Sequence, residues 1–404
     1  MSIQNQIHSR LWVRLSQKFY FNTFINLFQI AIQYIYRYFS SDCEHSFYYP
    51  YVSLWTHPRI KTRWYGKNFS PFKYSNYRKA KIAYFIQHAS LVEDGKKKII
   101  EPNDHILALC LPFATSNRPS ALINAVPAAS EWLANSNVSA VTIGKYEHEM
   151  RNQFIHYFGD ELSTKLVEIN IKRLVRGFPA EYLCQVLRNI EFGYGKVSFV
   201  FLASSWELKG VDLVVEAWRW ADLGDAAELF LISPQPKSDA RRKLLKLPKN
   251  VIYMSETPVS QAKKEKVLAA CDVTIAITHV DGGATAWEGL EYGHAIVTNN
   301  YHRASSLIYN NNGFSIDLPN AYYEMGRFGV EWDSIGEYMD LVGKMENDGA
   351  YDDPTFELGR ILRSYANDRG LLKLHRQRSF EICEYESLTR GNEEFSDLIK
   401  KINR

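Results

Sequence analysis

From about Lys79 the chain alternates short apolar runs with amphipathic ones. Strand-like apolar stretches occur within KIAYFIQHA (81–89) and KKIIEPNDHILALCL (97–111), and VSAVTI (138–143) reads cleanly as a strand. YEHEMRNQFIHYFG (146–159) has helical spacing and stops at Gly159, and KLVEINI (165–171) reads as another strand. The second half is more regular. Strands are predicted at 196–204, 227–233, 250–254, 272–278 and 294–299, with helices at 209–221, 237–247 and 260–270 between them. In the 209–221 helix Val211, Val214, Val215 and Trp218 share one face. Near-continuous apolar strands alternating with helices predict parallel sheets covered on both faces. The expected fold class is therefore α/β, with two doubly wound, Rossmann-like domains and a boundary near 185–196.

The N-terminal segment follows a different pattern. In KFYFNTFINLFQIAIQYIYRYF (18–39) the polar residues Lys18, Asn22, Asn26, Gln29, Gln33 and Arg37 recur every three or four positions. They form one narrow stripe of a helix whose remaining surface is aromatic or aliphatic apart from Thr23. Such a face needs a cover: the protein's own core, a subunit partner or a membrane interface, where Tyr and Lys/Arg sit well. The amides inside the run oppose a transmembrane span, and no small-residue cleavage site marks a signal peptide.

Charge sharpens this picture. Residues 1–81 hold twelve Lys and Arg against Asp42 and Glu44, a net of +10, which leaves −7 for the rest of a chain whose total is +3. Residues 55–81 interleave bases with aromatics and contain no acid. A basic end on an acidic body points to an anionic partner, either anionic lipid or nucleic acid. Cys43, Cys110, Cys184, Cys271 and Cys383 are scattered, so neither a zinc knuckle nor a disulfide framework is indicated. No internal repeat or low-complexity tract appears, and 404 residues suit about two domains.

The chemistry concentrates in DGGATAWEGLEYGHAIVTNN (281–300). A strand is expected to end near Thr278 and a helix to start near Ala284. The first amides of a helix lack intrahelical partners and carry partial positive charge, so they attract anions. Gly282 and Gly283 would let backbone approach a ligand, and Thr285 adds a hydroxyl. Glu288, one turn on, could accept bonds from sugar hydroxyls, and Asp281 could do the same at the mouth. A tight strand–helix turn with an acid at its start would look similar. Lys209 follows the carboxyl end of another strand, from which it could reach the same phosphate.

These stretches together resemble the C-terminal half of family 4 glycosyltransferases of GT-B architecture. SSWELKGVDLVVEAW resembles the family's K-G-x-x-x-x-x-x-A-[FW] helix, KVLAACDVTIAIT its strand–helix–strand passage, and DGGATAWEGLEYGHAIVTN its E-G-x-G…L-E-A-x-A-x-G-x-P-V-I motif. NNGFSIDLP (311–319) and the tail 379–399 resemble later family segments. The likeness covers roughly 196–320 well, 81–190 weakly and 1–80 not at all. It implies that two domains face each other across a cleft, that Lys209 contacts the donor diphosphate, and that Glu288 binds the nucleotide ribose. Asp281 would stand for the glutamate that contacts the donor sugar, although it is an Asp and one residue closer to Glu288. Ser204 and Ser205 occupy the place of a family basic residue.

In the first domain Asp104 and His105 follow a strand, where such enzymes often carry a His or Asp near the transferred sugar. Asp104 could equally cap a helix, and His88 is a rival. The organisation expected is a basic aromatic helical segment (1–80), an acceptor-side domain (81–190) completed by 371–404, and a donor-binding domain (191–370). The implied activity is sugar transfer from a nucleotide-sugar to a glycan or lipid-linked acceptor, with retention of configuration and no metal or other cofactor. It would take place in the cytoplasm, at the inner membrane face if the basic segment binds anionic lipid. A non-catalytic scaffold and a nucleic-acid-modifying transferase are the alternatives, with nucleic acid the weaker partner. No D-x-D, H-E-x-x-H or P-loop pattern occurs.

Overall fold

The structure is a computed structural model. It describes residues 82–86, 97–102, 106–114, 119–135, 137–144, 147–169, 195–206, 209–236, 247–255, 259–279, 284–300, 308, 311–318, 337, 340, 353–385, 394 and 397–402. The N-terminal segment 1–80, nearly all of the 237–247 helix and most of the 185–196 boundary lie outside these residues. The chain divides into two compact units. Unit 1 comprises 1–171 with 330–333 and 388–404, and unit 2 comprises 172–329 with 334–387.

Unit 1 contains a four-stranded parallel sheet in the order β1 (Ile82–Ile86), β2 (Lys97–Glu101), β3 (Val138–Gly144), β4 (Leu166–Ile169). Helices α1 (Pro119–Asn124) and α2 (Val126–Asn135) precede β3, and α3 (His148–Phe158) and α4 (Asp160–Ser163) precede β4. Helix α3 ends where Gly159 takes φ +81°, a conformation that a side chain disfavours. The core includes Ile99, Ile100, Leu133, Val141, Ile143 and Phe154. The apolar run after β2, which the sequence leaves open between a strand-like run and a helix following Asp104, is a 3-10 helix, Ile106–Cys110, and all five residues are buried. An apolar run enclosed on every side has no periodicity by which to tell the two states apart.

Unit 2 contains a six-stranded sheet in the order β10-β9-β8-β5-β6-β7, with every pair parallel. The strands are β5 (Val197–Leu202), β6 (Ala227–Ile232), β7 (Val251–Met254), β8 (Val273–Ile275), β9 (Ala295–Asn299) and β10 (Gly313–Ile316). Strand β10 extends the sheet beyond the five strands predicted. Its Gly313 explains how: a Cβ there would lie 1.9 Å from the Ile296 carbonyl oxygen, so only glycine permits this pairing with β9.

Alternation along β5 feeds two cores. Phe199 and Phe201 pack with α5 (Val211–Ala221) and α8 (Pro354–Asn367), alongside Val214, Trp218, Leu358, Leu362 and Tyr365. Val200 faces the other way, toward Val267 and Leu268 of α6 (Gln261–Ala270) and toward Tyr292. Fully burying side chains of this size stabilises the fold by roughly 1.5–3 kcal/mol each. Arg363 of α8 donates to the carbonyls of Trp220 and Ala221 at 2.7 and 2.8 Å. It thereby satisfies acceptors that the end of α5 leaves open. Helix α9 (Arg369–Tyr385) is anchored by buried Arg376, which pairs with Asp272 and donates to the Gly293 carbonyl. Residues 369–385 thus pack within unit 2, and 388–404 cluster with unit 1.

Candidate functional site

The strand order of unit 2 reverses around β5: β6 and β7 lie to one side, β8, β9 and β10 to the other. The chain leaves the carboxyl ends of β5 and β8 in opposite directions, which opens a crevice where ligands bind in doubly wound sheets. The loops that leave these two ends carry most of the candidate residues in the second half.

After β5 come Ser204, which is exposed, and Ser205, which is half-buried. Trp206 is buried, and its indole donates to Asp212 Oδ1 at 2.6 Å. Lys209 is half-buried, and Gly210 begins α5 with φ +67° in the left-handed region. The Val211 amide donates to the Trp206 carbonyl at 3.1 Å, which closes the turn. A side-chain carbon at Gly210 would sit 3.6 Å from His279 Nε2 and 3.8 Å from Ile277 Cδ1. The Lys209–Gly210 corner therefore lies against the loop that leaves β8.

That second loop is held from below. Ala276, Ile277, Thr278 and His279 are all buried. Asn299, at the end of β9 and fully buried, accepts from the Thr278 amide at 3.2 Å. Its side-chain amide donates to the carbonyls of Thr278 (3.1 Å) and Leu318 (3.2 Å). One side chain thus ties together the chain ends that follow β8, β9 and β10. Asp281, Gly282 and Gly283 lie outside the described residues.

Helix α7 (Ala284–Glu291) starts where the sequence predicts. Ala286 and Leu290 are buried, and Thr285 is half-buried. Gly289 sets how closely α7 approaches β8, since a Cβ there would lie 2.4 Å from Thr274 Oγ1. Glu288 is buried, and its carboxylate forms an ion pair with Lys264 of α6.

Unit 1 supplies less. Asp104, His105 and His88 lie outside the described residues. The ends of β2 and β3 carry two buried carboxylates, Glu101 and Glu147, and Glu147 Oε2 accepts from the Gly144 amide at 2.7 Å. Cys110 and Cys271 are buried free thiols. Burial pushes Cys110 up to about 12 and raises Cys271 as well, so neither is a ready nucleophile.

The residues that sequence reading missed are His279, Asn299 and Lys264. His279 falls one residue beyond the predicted strand 272–278, and Asn299 is the polar last residue of the predicted strand 294–299, so a search for apolar runs singles out neither. Lys264 is one of several lysines in a helix, and only the tertiary pairing singles it out.

No protein-family model matches the sequence, and no curated protein matches it. Among solved structures, S. aureus TarM is similar at 13% identity and a TM-score of 0.50, over 80% of this chain and 55% of TarM. WaaG, a glycosyltransferase involved in lipopolysaccharide biosynthesis, is similar at 14% identity and a TM-score of 0.49, over 79% of this chain and 78% of its own. This chain has the GT-B fold. It spans little more than half the length of TarM. In GT-B terms unit 2 is the second Rossmann-like half, and its β5/β8 crevice is where Lys209, Gly210 and His279 converge.

Proposed function

We propose that this chain is a glycosyltransferase that moves a sugar from a nucleotide-activated donor, held by unit 2, to an acceptor. The observation that carries the reading is the contact between the Lys209–Gly210 corner and the His279 loop at the switch point of a parallel sheet. In the transfer, the bond between the sugar's anomeric carbon and the diphosphate oxygen breaks and negative charge grows on the diphosphate. Lys209 and the first amides of α7, with the Thr285 hydroxyl, are suited to bind that charge. Ser204 and Ser205 line the same strand end, Glu288 is the candidate for the nucleotide ribose, and Asp281 for the donor sugar. Asp104 and His105 are the candidates nearest the transferred sugar from unit 1. The motif resemblance supports membership of family 4, retention of configuration and action without a metal.

The neighbours support a glycan as acceptor: one TarM structure was determined with Fondaparinux, α-GlcNAc-glycerol and UDP, and WaaG serves lipopolysaccharide synthesis. The basic, aromatic residues 1–81 support a lipid-linked glycan reached from an anionic cytoplasmic membrane surface. Among the described residues no helix is long and apolar enough to cross a membrane.

A thermal-shift panel with UDP-, GDP- and ADP-sugars tests the donor reading. Ligand at a hundred times its Kd stabilises the folded state by about 2.7 kcal/mol, so one nucleotide series should raise the unfolding midpoint. If none does, the reading fails. A non-catalytic scaffold is favoured by two departures, Asp281 in place of a glutamate and Ser204-Ser205 in place of a base. It would bind a nucleotide-sugar yet release no nucleoside diphosphate in the presence of any acceptor.

A further inference from the structure

Helix α6 contradicts its own dipole. Its first turn, Gln261 to Lys264, holds two lysines and no acid, at the end where the backbone presents partial positive charge. Ser260 caps it by accepting from the Lys263 amide at 3.3 Å, which adds no negative charge. Local rules broken without local compensation are expected where function demands it.

The compensation comes from the neighbouring helix. All six strands are parallel, so α6, which follows β7, and α7, which follows the loop after β8, both start at the carboxyl edge of the sheet. Lys264 is the fourth residue of α6 and Glu288 the fifth of α7, so each side chain sits about one turn below that edge. There they form an ion pair, with side-chain exposures of 26% and 9%. The pair joins the N-terminal parts of two helices that both start at the carboxyl edge of the sheet.

We infer that Lys264 is a positioning residue of the donor site: it holds the Glu288 carboxylate in the orientation that receives the ribose hydroxyls of a nucleoside diphosphate. This rests on the donor-binding reading above. A carboxylate has two oxygens with about four acceptor sites, so the ammonium at Oε2 does not exhaust what it can accept. Without the cation, a nearly buried carboxylate would turn toward water and lose that geometry.

The test measures binding of UDP, GDP and ADP by calorimetry to wild type, Lys264→Met, Lys264→Arg, Glu288→Gln and the Lys264→Met/Glu288→Gln double variant. The folded fraction is checked by circular dichroism. Lys264→Met should bind about tenfold more weakly and Lys264→Arg within about threefold of wild type, because the arginine still donates to the carboxylate. Glu288→Gln should also lose about tenfold, and the double variant about tenfold rather than a hundredfold, since both changes remove one interaction. Should Lys264→Met fail to fold, Lys264→Arg and the double variant, whose pair is neutral, carry the comparison. Wild-type affinity in Lys264→Met overturns the inference. So do losses that multiply, which would place Lys264 on the phosphates independently of Glu288. If wild type binds none of the three nucleotides, the donor reading itself falls, and the inference falls with it.

Discussion

His294 is fully buried beneath α7, and its ring is satisfied in one protonation state. Nε2 lies 2.8 Å from the Leu268 carbonyl, which can only accept, so Nε2 carries the proton. Nδ1 lies 2.7 Å from Thr274 Oγ1 and accepts from that hydroxyl. A second proton would displace this bond and leave a charge in the core. Burial first, and then the positive charge of Arg376, push His294 down to about 3, against the opposing pull of the Leu268 carbonyl. An unfolded chain takes up the proton near pH 6.5. The sign follows: below that pH the unfolded state binds a proton that the folded state refuses. The stabilisation from neutral His294 is therefore complete above about pH 6.5 and is lost as pH falls toward 3. The slope approaches about 1.4 kcal/mol per pH unit, which gives about 2 kcal/mol lost between pH 8 and pH 5. Urea unfolding of wild type and His294→Asn at both pH values measures it. Every other group titrates in both proteins and cancels in their difference, so the wild-type advantage should shrink by about 2 kcal/mol at pH 5. An advantage that stays constant from pH 8 to pH 5 would refute the buried neutral imidazole.

Three further outcomes are expected. Lys209→Ala should weaken nucleotide-sugar binding by about 1.5–3 kcal/mol through the lost charge-assisted contact, and unchanged affinity in calorimetry removes Lys209 from the site. Gly289→Ala should lower the unfolding midpoint, because its Cβ would meet Thr274 Oγ1 at 2.4 Å and Ile296 Cδ1 at 3.0 Å. Overpacking of that kind costs about 1–3 kcal/mol, more than alanine's helix preference of about 1 kcal/mol returns, and a midpoint at or above wild type contradicts the close approach of α7 to β8. The full chain should pellet with anionic liposomes and lose much of that binding at high salt. Equal binding to neutral liposomes excludes the electrostatic contribution of residues 1–81.

The parallel strands of unit 2 were legible because burial on both faces leaves near-continuous apolar runs such as VSFVFL in β5. The helix start at Ala284 was legible because small residues after a glycine pair punctuate the chain. Two elements were not. Ile106–Cys110 is short, apolar and buried on all sides, so its state depends on its surroundings. Strand β10, GFSI, is only partly buried along most of its length and joins the sheet because a glycine allows close pairing with β9. Its signal is a contact, and a one-dimensional pattern does not contain it.

The site divides along the same line. Residue type and spacing along one element suffice to nominate Lys209, Thr285 and Glu288, because each follows a strand end or lies within a turn of a helix start. That β5 adjoins β8 rather than β7 is a matter of strand order, and it places Gly210 against His279. Asn299 clamps three strand ends, and Lys264 meets Glu288 across a separation of twenty-four positions in the chain. Local preference acts over a few residues and is carried by the chain itself. Strand order and pairing between elements depend on which surfaces bury together, and that is decided only when the sheet closes its core.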